Sequence, residues 1–322
     1  GWYCFIMTLS DKILATLAYY DVLDFPLNKG EIWRYLVNSA YFGKGQYHEP
    51  YNEDNLLVEI GLLEREKIIN RRDGFYFLFG REYLVPLRQR KFELWQKKWR
   101  LTLRAVRVLY AAPFVKAIFA SGSLAFRNTR ELSDLDVLIV VKSGRMWLSR
   151  LFIAFVLSIL GIRRKAGQQI APDKICPNHY ITDGLLTMPL VSMYIAQEYA
   201  NLVPLMFKNS KIIEEFIAAN LWVLKYIDTW RLPSIPAIKS SPWEVIGQFL
   251  EALLNAKLGD YFEKIARSYQ RKRILDNPIT REQSAYVSVS DNALAFHPNS
   301  PEVRILTQYK AGLEKLGRRS GV

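Results

Sequence analysis

Two aspartates, Asp134 and Asp136, stand at the entry to an uninterrupted apolar run, Val137-Leu138-Ile139-Val140-Val141. A run this rich in β-branched residues reads as a strand buried on both faces, which puts a sheet at the centre of the fold. In extended backbone, residues at spacing two point to the same side, so the two carboxylates lie about 6.6 Å apart along the strand. Two like charges beside a hydrophobic core raise each other's protonation cost and stabilise nothing by themselves. A divalent cation removes that penalty. Hard oxygen ligands on one strand edge suit Mg²⁺, which takes one or two carboxylates and completes its octahedron with substrate phosphates and water.

Upstream, Phe119-Ala120-Ser121 leads into Gly122-Ser123. Glycine after an apolar strand permits close backbone approach to a ligand, and a following serine adds a hydroxyl donor for phosphate oxygens. From Phe114 to Val141 the pattern is strand, turn, strand; an apolar helix and a further strand over Lys174 to Thr182 follow, an alternation that implies an α/β or α+β core. The apolar helix, Leu151 to Ile162, is interrupted by Ser158 and closed by Gly161 and Arg163-Arg164-Lys165. It falls short of the roughly 20 residues a bilayer span requires and reads as a buried helix, with no membrane span expected.

The N-terminal third has its own organisation. Thr8 to Leu23 places Ile13, Leu14, Leu17 and Ala18 on one helical face. After Phe25-Pro26-Leu27, Asn28 is suited to cap a second helix, with Glu31 in its third position completing a capping box. A third helix is expected over about Asn52 to Leu63, and strands over Lys67 to Asn70 and Phe75 to Phe79 are joined through Asp73-Gly74, which supplies the positive φ angles of a tight hairpin. Three helices and a hairpin over residues 8–82 make a winged-helix arrangement. A connecting helix over 83–112 is strongly basic, with Arg88, Lys91, Lys97, Lys98, Arg100 and Arg104 among its cations; these read either as a solvated face or as a phosphate-facing one. Beyond about residue 190 the pattern is helical to Trp230, with a Pro- and Ser-rich linker near 232–242, a helix over Trp243 to Arg273 and a last helix near Pro301 to Leu316.

The order strand, Gly122-Ser123, about ten residues, Asp134-x-Asp136 and buried strand resembles the signature of the DNA polymerase beta-like nucleotidyltransferase superfamily. That resemblance covers Phe114 to Val141 directly. The order of winged helix, connecting helix, mixed-sheet core over 113–190 and helical C-terminal region over 191–322 is similar to that of uncharacterised prokaryotic nucleotidyltransferase-domain proteins. It implies transfer of a nucleoside monophosphate from a nucleoside triphosphate to an acceptor, with release of pyrophosphate. Gly122 and Ser123 would hold the triphosphate, and Asp134 and Asp136 would bind two Mg²⁺ ions. The superfamily usually adds a third carboxylate on a neighbouring strand. Here the segment Lys174 to Thr182 carries none; Asp173 and Asp183 flank it, and Asn178 or His179 are candidates for a partial substitute. A nucleotide-binding regulatory or scaffolding protein with little turnover is the alternative.

Charge bounds the partners. Lys and Arg number 44 against 31 Asp and Glu, a formal +13 that favours anionic partners such as nucleotides or RNA. The acceptor, whether small molecule, protein or RNA, is not legible. Sequence-specific DNA binding is disfavoured because the recognition-helix position is acidic, Asn52-Glu53-Asp54-Asn55 through Glu59 and Glu64, and acids repel phosphates. Cys4 and Cys176, with His48, His179 and His297, lack disulfide or zinc spacing, which fits a cytoplasmic setting. Gly1 to Ile6 has no basic n-region and reads as an extension ahead of a natural start at Met7.

Overall fold

Thr8 accepts a hydrogen bond from the Asp11 backbone N–H and donates its own N–H to the Asp11 carboxylate, a capping box that starts α1 (Leu9–Val22). Asn28 and Glu31 form the same reciprocal pair after the two-residue β1 (Leu27–Asn28), starting α2 (Lys29–Arg34). Each box satisfies N–H groups that a helix start leaves without intrahelical partners. Asn52 caps α3 (Glu53–Arg65), which leads into β2 (Ile69–Arg72) and β3 (Phe75–Leu78). The hairpin turns through Asp73 and Gly74 at φ 52° and 79°, as the Asp-Gly pair predicts, and β1, β3 and β2 form a small antiparallel sheet. These elements belong to a computed structural model that describes residues 7–43, 51–165, 167–168, 170–187, 191–233, 236–278, 286–297 and 300–319. Gly1 to Ile6 with Cys4, His48, and Ser234 of the linker lie outside the described residues.

The long helix α4 (Leu84–Leu109) delivers the chain to β4 (Val115–Ala120), the single turn α5 (Gly122–Ala125) and β5 (Leu135–Val141). Next come α6 (Met146–Ile159), β6 (Ile175–Thr182), α7 (Met193–Asn201), β7 (Val203–Phe207) and α8 (Lys211–Ala219). The chain continues through α9 (Glu244–Leu254), α10 (Lys257–Leu275), β8 (Tyr286–Val289), β9 (Ala293–His297) and α11 (Glu302–Arg319). Six strands form a mixed sheet in the order β7-β4-β5-β6-β9-β8, in which β5 and β6 run parallel across α6 and the other neighbours are antiparallel. The class is α+β, as the alternation of patterns implies.

Several sequence expectations are corrected. The stretch from Pro189 to Trp230, expected to be helical, contains β7, a short apolar run that periodicity cannot distinguish from buried helix. Its Pro204 is tolerated because β7 is the sheet's outermost strand. The helix over Trp243 to Arg273 breaks at Asn255-Ala256 into α9 and α10. Within the linker segment, Ile238 lies against the edge strand β7, its N–H donating to the Leu205 carbonyl at 2.8 Å. Neither reading of the basic helix covers Arg88, Lys91 and Lys98, which are buried.

The sheet separates two layers. Leu135, Val137, Ile139 and Val141 pack with Val106, Leu109, Trp147 and Ile153 of α4 and α6. Leu138 and Val140, on the opposite face, share a core with Ala117 and Phe119, with Ile13, Tyr19 and Tyr20 of α1, and with Ala196 of α7 and Tyr309 of α11. Each fully buried aliphatic side chain contributes roughly 1.5–3 kcal/mol, so β5 is held rigidly along its length. Asp136 has the parity of Leu138 and Val140 and therefore faces the N-terminal helices.

Candidate metal-binding acid pair

At the start of β5 the backbone is clamped from both neighbours. The Leu135 N–H donates to the Lys174 carbonyl at 2.9 Å, and the Ser121 N–H donates to the Asp136 carbonyl at 3.0 Å. With the backbone held, carboxylate oxygens of Asp134 and Asp136 and the Cys176 Sγ all lie within 4.8 Å of one another. Asp136 is opposite Cys176 in the parallel β5–β6 register. The Asn178 amide then donates to Asp136 Oδ1 at 2.9 Å, and a register shift follows between Asp136 and Leu138.

Gly122 is required here for two reasons. Its φ is +53°, a left-handed conformation that side chains with a Cβ rarely adopt, and a Cβ at this position would sit 2.7 Å from Asp136 Oδ2. The Gly-Ser turn and the acid pair are therefore in contact. Ser123 follows in the first turn of α5, where its carbonyl accepts the Asn128 N–H at 3.0 Å. Trp95 of α4 donates its indole N–H to the Leu124 carbonyl at 2.8 Å, which fixes this turn from outside.

Three further residues shape the site. Arg164 donates to both the Asp134 carboxylate and the Cys176 sulfur, the latter at 3.6 Å. Lys98, only 1% exposed, donates to the Glu131 and Ser133 carbonyls at 3.1 and 2.7 Å and pairs with Asp173 at 2.6 Å. It thereby ties the segment before Asp134 to the turn before β6. Glu198 of α7 accepts the Tyr194 hydroxyl at 2.9 Å, and its charge reaches Asp136.

The electrostatics follow from burial. Desolvation pushes the Asp136 carboxyl up to about 8, the Asp134 charge and then Glu198 add to the rise, and Arg164 opposes it. Burial likewise raises Glu198 to about 7 against the hydrogen bond from Tyr194. The Cys176 thiol is pushed well up by burial and by both aspartates, so it stays protonated at neutral pH. Asp134, Asp136 and Cys176 form a group with the spacing to hold a metal ion, in which the carboxylate oxygens are the hard ligands and the protonated thiol is a poor one.

The four residues singled out in the sequence, Gly122, Ser123, Asp134 and Asp136, come together at one sheet end. The flanking candidates do not join them. Asp173 is turned to Lys98, at a positive φ of 60°. Asp183 lies past the far end of β6, about 20 Å along the strand from Cys176, where its carboxylate accepts the Ser143 N–H at 2.8 Å. His179 is buried opposite Leu138. Asn178 is the polar β6 residue that touches Asp136. Arg164, Lys98 and Glu198 carried no signal beyond their charge, since only the packing of distant segments brings them here.

Comparison with protein families, with curated proteins and with solved structures finds no match to this chain. Among the described residues no helix is long and apolar enough to cross a membrane.

Proposed function

We propose that the chain is a Mg²⁺-dependent nucleotidyltransferase that moves a nucleoside monophosphate from a nucleoside triphosphate to an acceptor, with release of pyrophosphate. The observation that carries this reading is the contact between Gly122 and the Asp136 carboxylate beside Asp134. It sets a backbone turn open to phosphate against two carboxylates whose mutual repulsion Arg164 and the Asn178 amide offset only in part, since Asp136 stays raised. The donor set fits Mg²⁺ through Asp134 and Asp136, with the neutral Cys176 thiol a bystander. When bound, paired ions supply charge neutralisation for the phosphates and the entering oxygen.

The chain's own residues would do the rest. Gly122 lets the phosphates approach the backbone, and Ser123 supplies a hydroxyl donor. Val137 to Val141 keep the carboxylates in place, Asn178 orients Asp136, and Lys98 positions the segment that carries Asp134. Arg164 neutralises Asp134 and is 30% exposed, free enough to exchange that partner for a phosphate. The N-terminal elements are best read as a winged helix used for packing and substrate positioning. In support, their core is continuous with the sheet face that bears Asp136, and the exposed face of α3 carries Glu53, Asp54, Leu57 and Val58 in place of cations. The setting proposed is cytoplasmic.

One observation favours a second reading, a nucleotide-binding scaffold with little turnover: Cys176 and Asn178 stand on β6 where the superfamily places its third carboxylate. The deciding experiment incubates the protein with Mg²⁺, each α-labelled nucleoside triphosphate and cell extract, beside an Asp134→Ala, Asp136→Ala double variant. Transfer of label by the parent and not by the variant is expected. Transfer that survives in the variant refutes the assignment, and nucleotide binding without transfer selects the scaffold.

A further inference from the structure

We propose that a separate pocket beside the acid pair anchors the acceptor through a phosphate monoester group, an inference that rests on the nucleotidyl-transfer reading. The pocket, about 210 Å³, opens between α2, the turn after α5 and the α7–β7 junction, and its walls include Arg34, Tyr35, Phe126, Arg127 and Asn201. Arg34 spends one Nη2 on the carbonyls of Ala200 and Arg231, at 3.3 and 2.5 Å, while its buried Nε has no partner among the described residues. Arg127 stacks its guanidinium over Trp95 at 5.2 Å, which leaves the fork's edge available for in-plane hydrogen bonds.

Neither arginine pairs with a carboxylate among the described residues. The acid on the pocket wall, Glu31, is held by Arg88 at 2.6 and 2.8 Å. Arg34 and Arg127 line the same pocket, with Tyr35 on its wall as well. Two unpaired guanidinium groups match the double negative charge of a phosphate monoester and the fork geometry that binds its oxygens. Arg127 also holds φ at +55°, a conformation that residues with a Cβ seldom keep unless the surroundings impose it.

The pocket adjoins the acid pair along two elements. Ala125 to Arg127 follow directly on the Gly122-Ser123 turn, and Asn201 is one helical turn beyond Glu198, whose charge reaches Asp136. A phosphate seated between Arg34 and Arg127 therefore anchors a small molecule whose other end lies toward Asp134 and Asp136.

The test is equilibrium dialysis of labelled inorganic phosphate against the full chain without Mg²⁺. One saturable site is expected, weakened at least tenfold in Arg34→Gln and in Arg127→Gln, less in Arg34→Lys, and kept in an Asp134→Asn, Asp136→Asn double variant. Glycerol 3-phosphate should compete, and a non-hydrolysable nucleoside triphosphate should not. Absence of saturable binding, or binding that both glutamine variants retain with unchanged circular dichroism, overturns the pocket. Displacement by the nucleotide analogue assigns the site to the donor and overturns the acceptor role, and competition by a 5′-phosphorylated oligonucleotide alone overturns the small-molecule assignment. Phosphate binding that persists where label transfer fails leaves the pocket standing and sinks only the nucleotidyl-transfer reading.

Discussion

The Asn178 amide donates to Asp136 Oδ1 at 2.9 Å, so the neighbouring strand meets the buried acid with a neutral donor instead of a second negative charge. Without a cation this contact favours the ionised form of Asp136, which burial opposes. On the proposed nucleotidyl-transfer reading, it also marks the place where a further carboxylate would complete a two-ion site.

Asn178→Asp tests that directly. A third acid beside Asp134 and Asp136 should lower apo stability by about 1–3 kcal/mol through like-charge repulsion in a half-buried site. In Mg²⁺ the destabilisation should vanish and label transfer should rise by about tenfold or more, each factor of ten being about 1.4 kcal/mol of transition-state stabilisation. Urea unfolding with and without Mg²⁺ reads the first effect, and nucleotide labelling the second. A variant whose stability ignores Mg²⁺ counts against a metal site.

The pH dependence has a definite sign. Asp136 is held at about 8 in the folded chain, against about 4 for an ordinary aspartate. Between those values the folded state keeps a proton that the unfolded state has lost, so stability falls as pH rises from about 4 to about 8. Glu198, raised to about 7, acts in the same direction. Asp136→Asn should therefore raise the melting temperature by several degrees at pH 8 and change it little at pH 4. Equal melting curves for parent and variant at pH 8 would show that the carboxylate is not desolvated.

Gly122→Ala should cost about 1–2 kcal/mol for the left-handed backbone alone and more for the approach to Asp136 Oδ2. Displacing that carboxylate should also abolish Mg²⁺-dependent stabilisation. Thermal melts over a Mg²⁺ titration check both, and an alanine variant with the parent's Mg²⁺ response is incompatible with this geometry.

Lys98→Met should destabilise by about 2–4 kcal/mol, since it removes three hydrogen bonds made by a buried ammonium, leaves the Glu131 carbonyl without a donor and leaves the Ser133 carbonyl only the Asp173 N–H at 3.3 Å. Asp173→Ala should cost under about 1 kcal/mol, because Asp173 is half exposed and both carbonyl contacts to Lys98 remain. Paired urea titrations give the difference. Equal costs would move the effect from the carbonyl clamp to the ion pair.

The local chemistry of this chain was written in short-range patterns. Asn28 and Glu31 cap α2, Asp73-Gly74 turns the hairpin, and Asp134-x-Asp136 enters a buried strand, because each signal acts within a few residues and needs no distant partner. Where an apolar stretch was short, as at β7, the same patterns misled, since helix and strand bury such residues equally well.

What determines the site beyond its four signature residues belongs to the tertiary structure. Lys98 in the basic helix, Arg164 after α6 and Glu198 on α7 look in the sequence like ordinary surface charges, yet one is sealed beneath the acid-bearing segment, one neutralises Asp134 and one presses on the Asp136 titration. Burial and charge pairing depend on which segments pack together, and a linear pattern holds no information on distance between residues far apart along the chain. Sequence sufficed to put two acids on one edge of a strand; only the packed fold decided that β6 would meet them with a thiol and an amide.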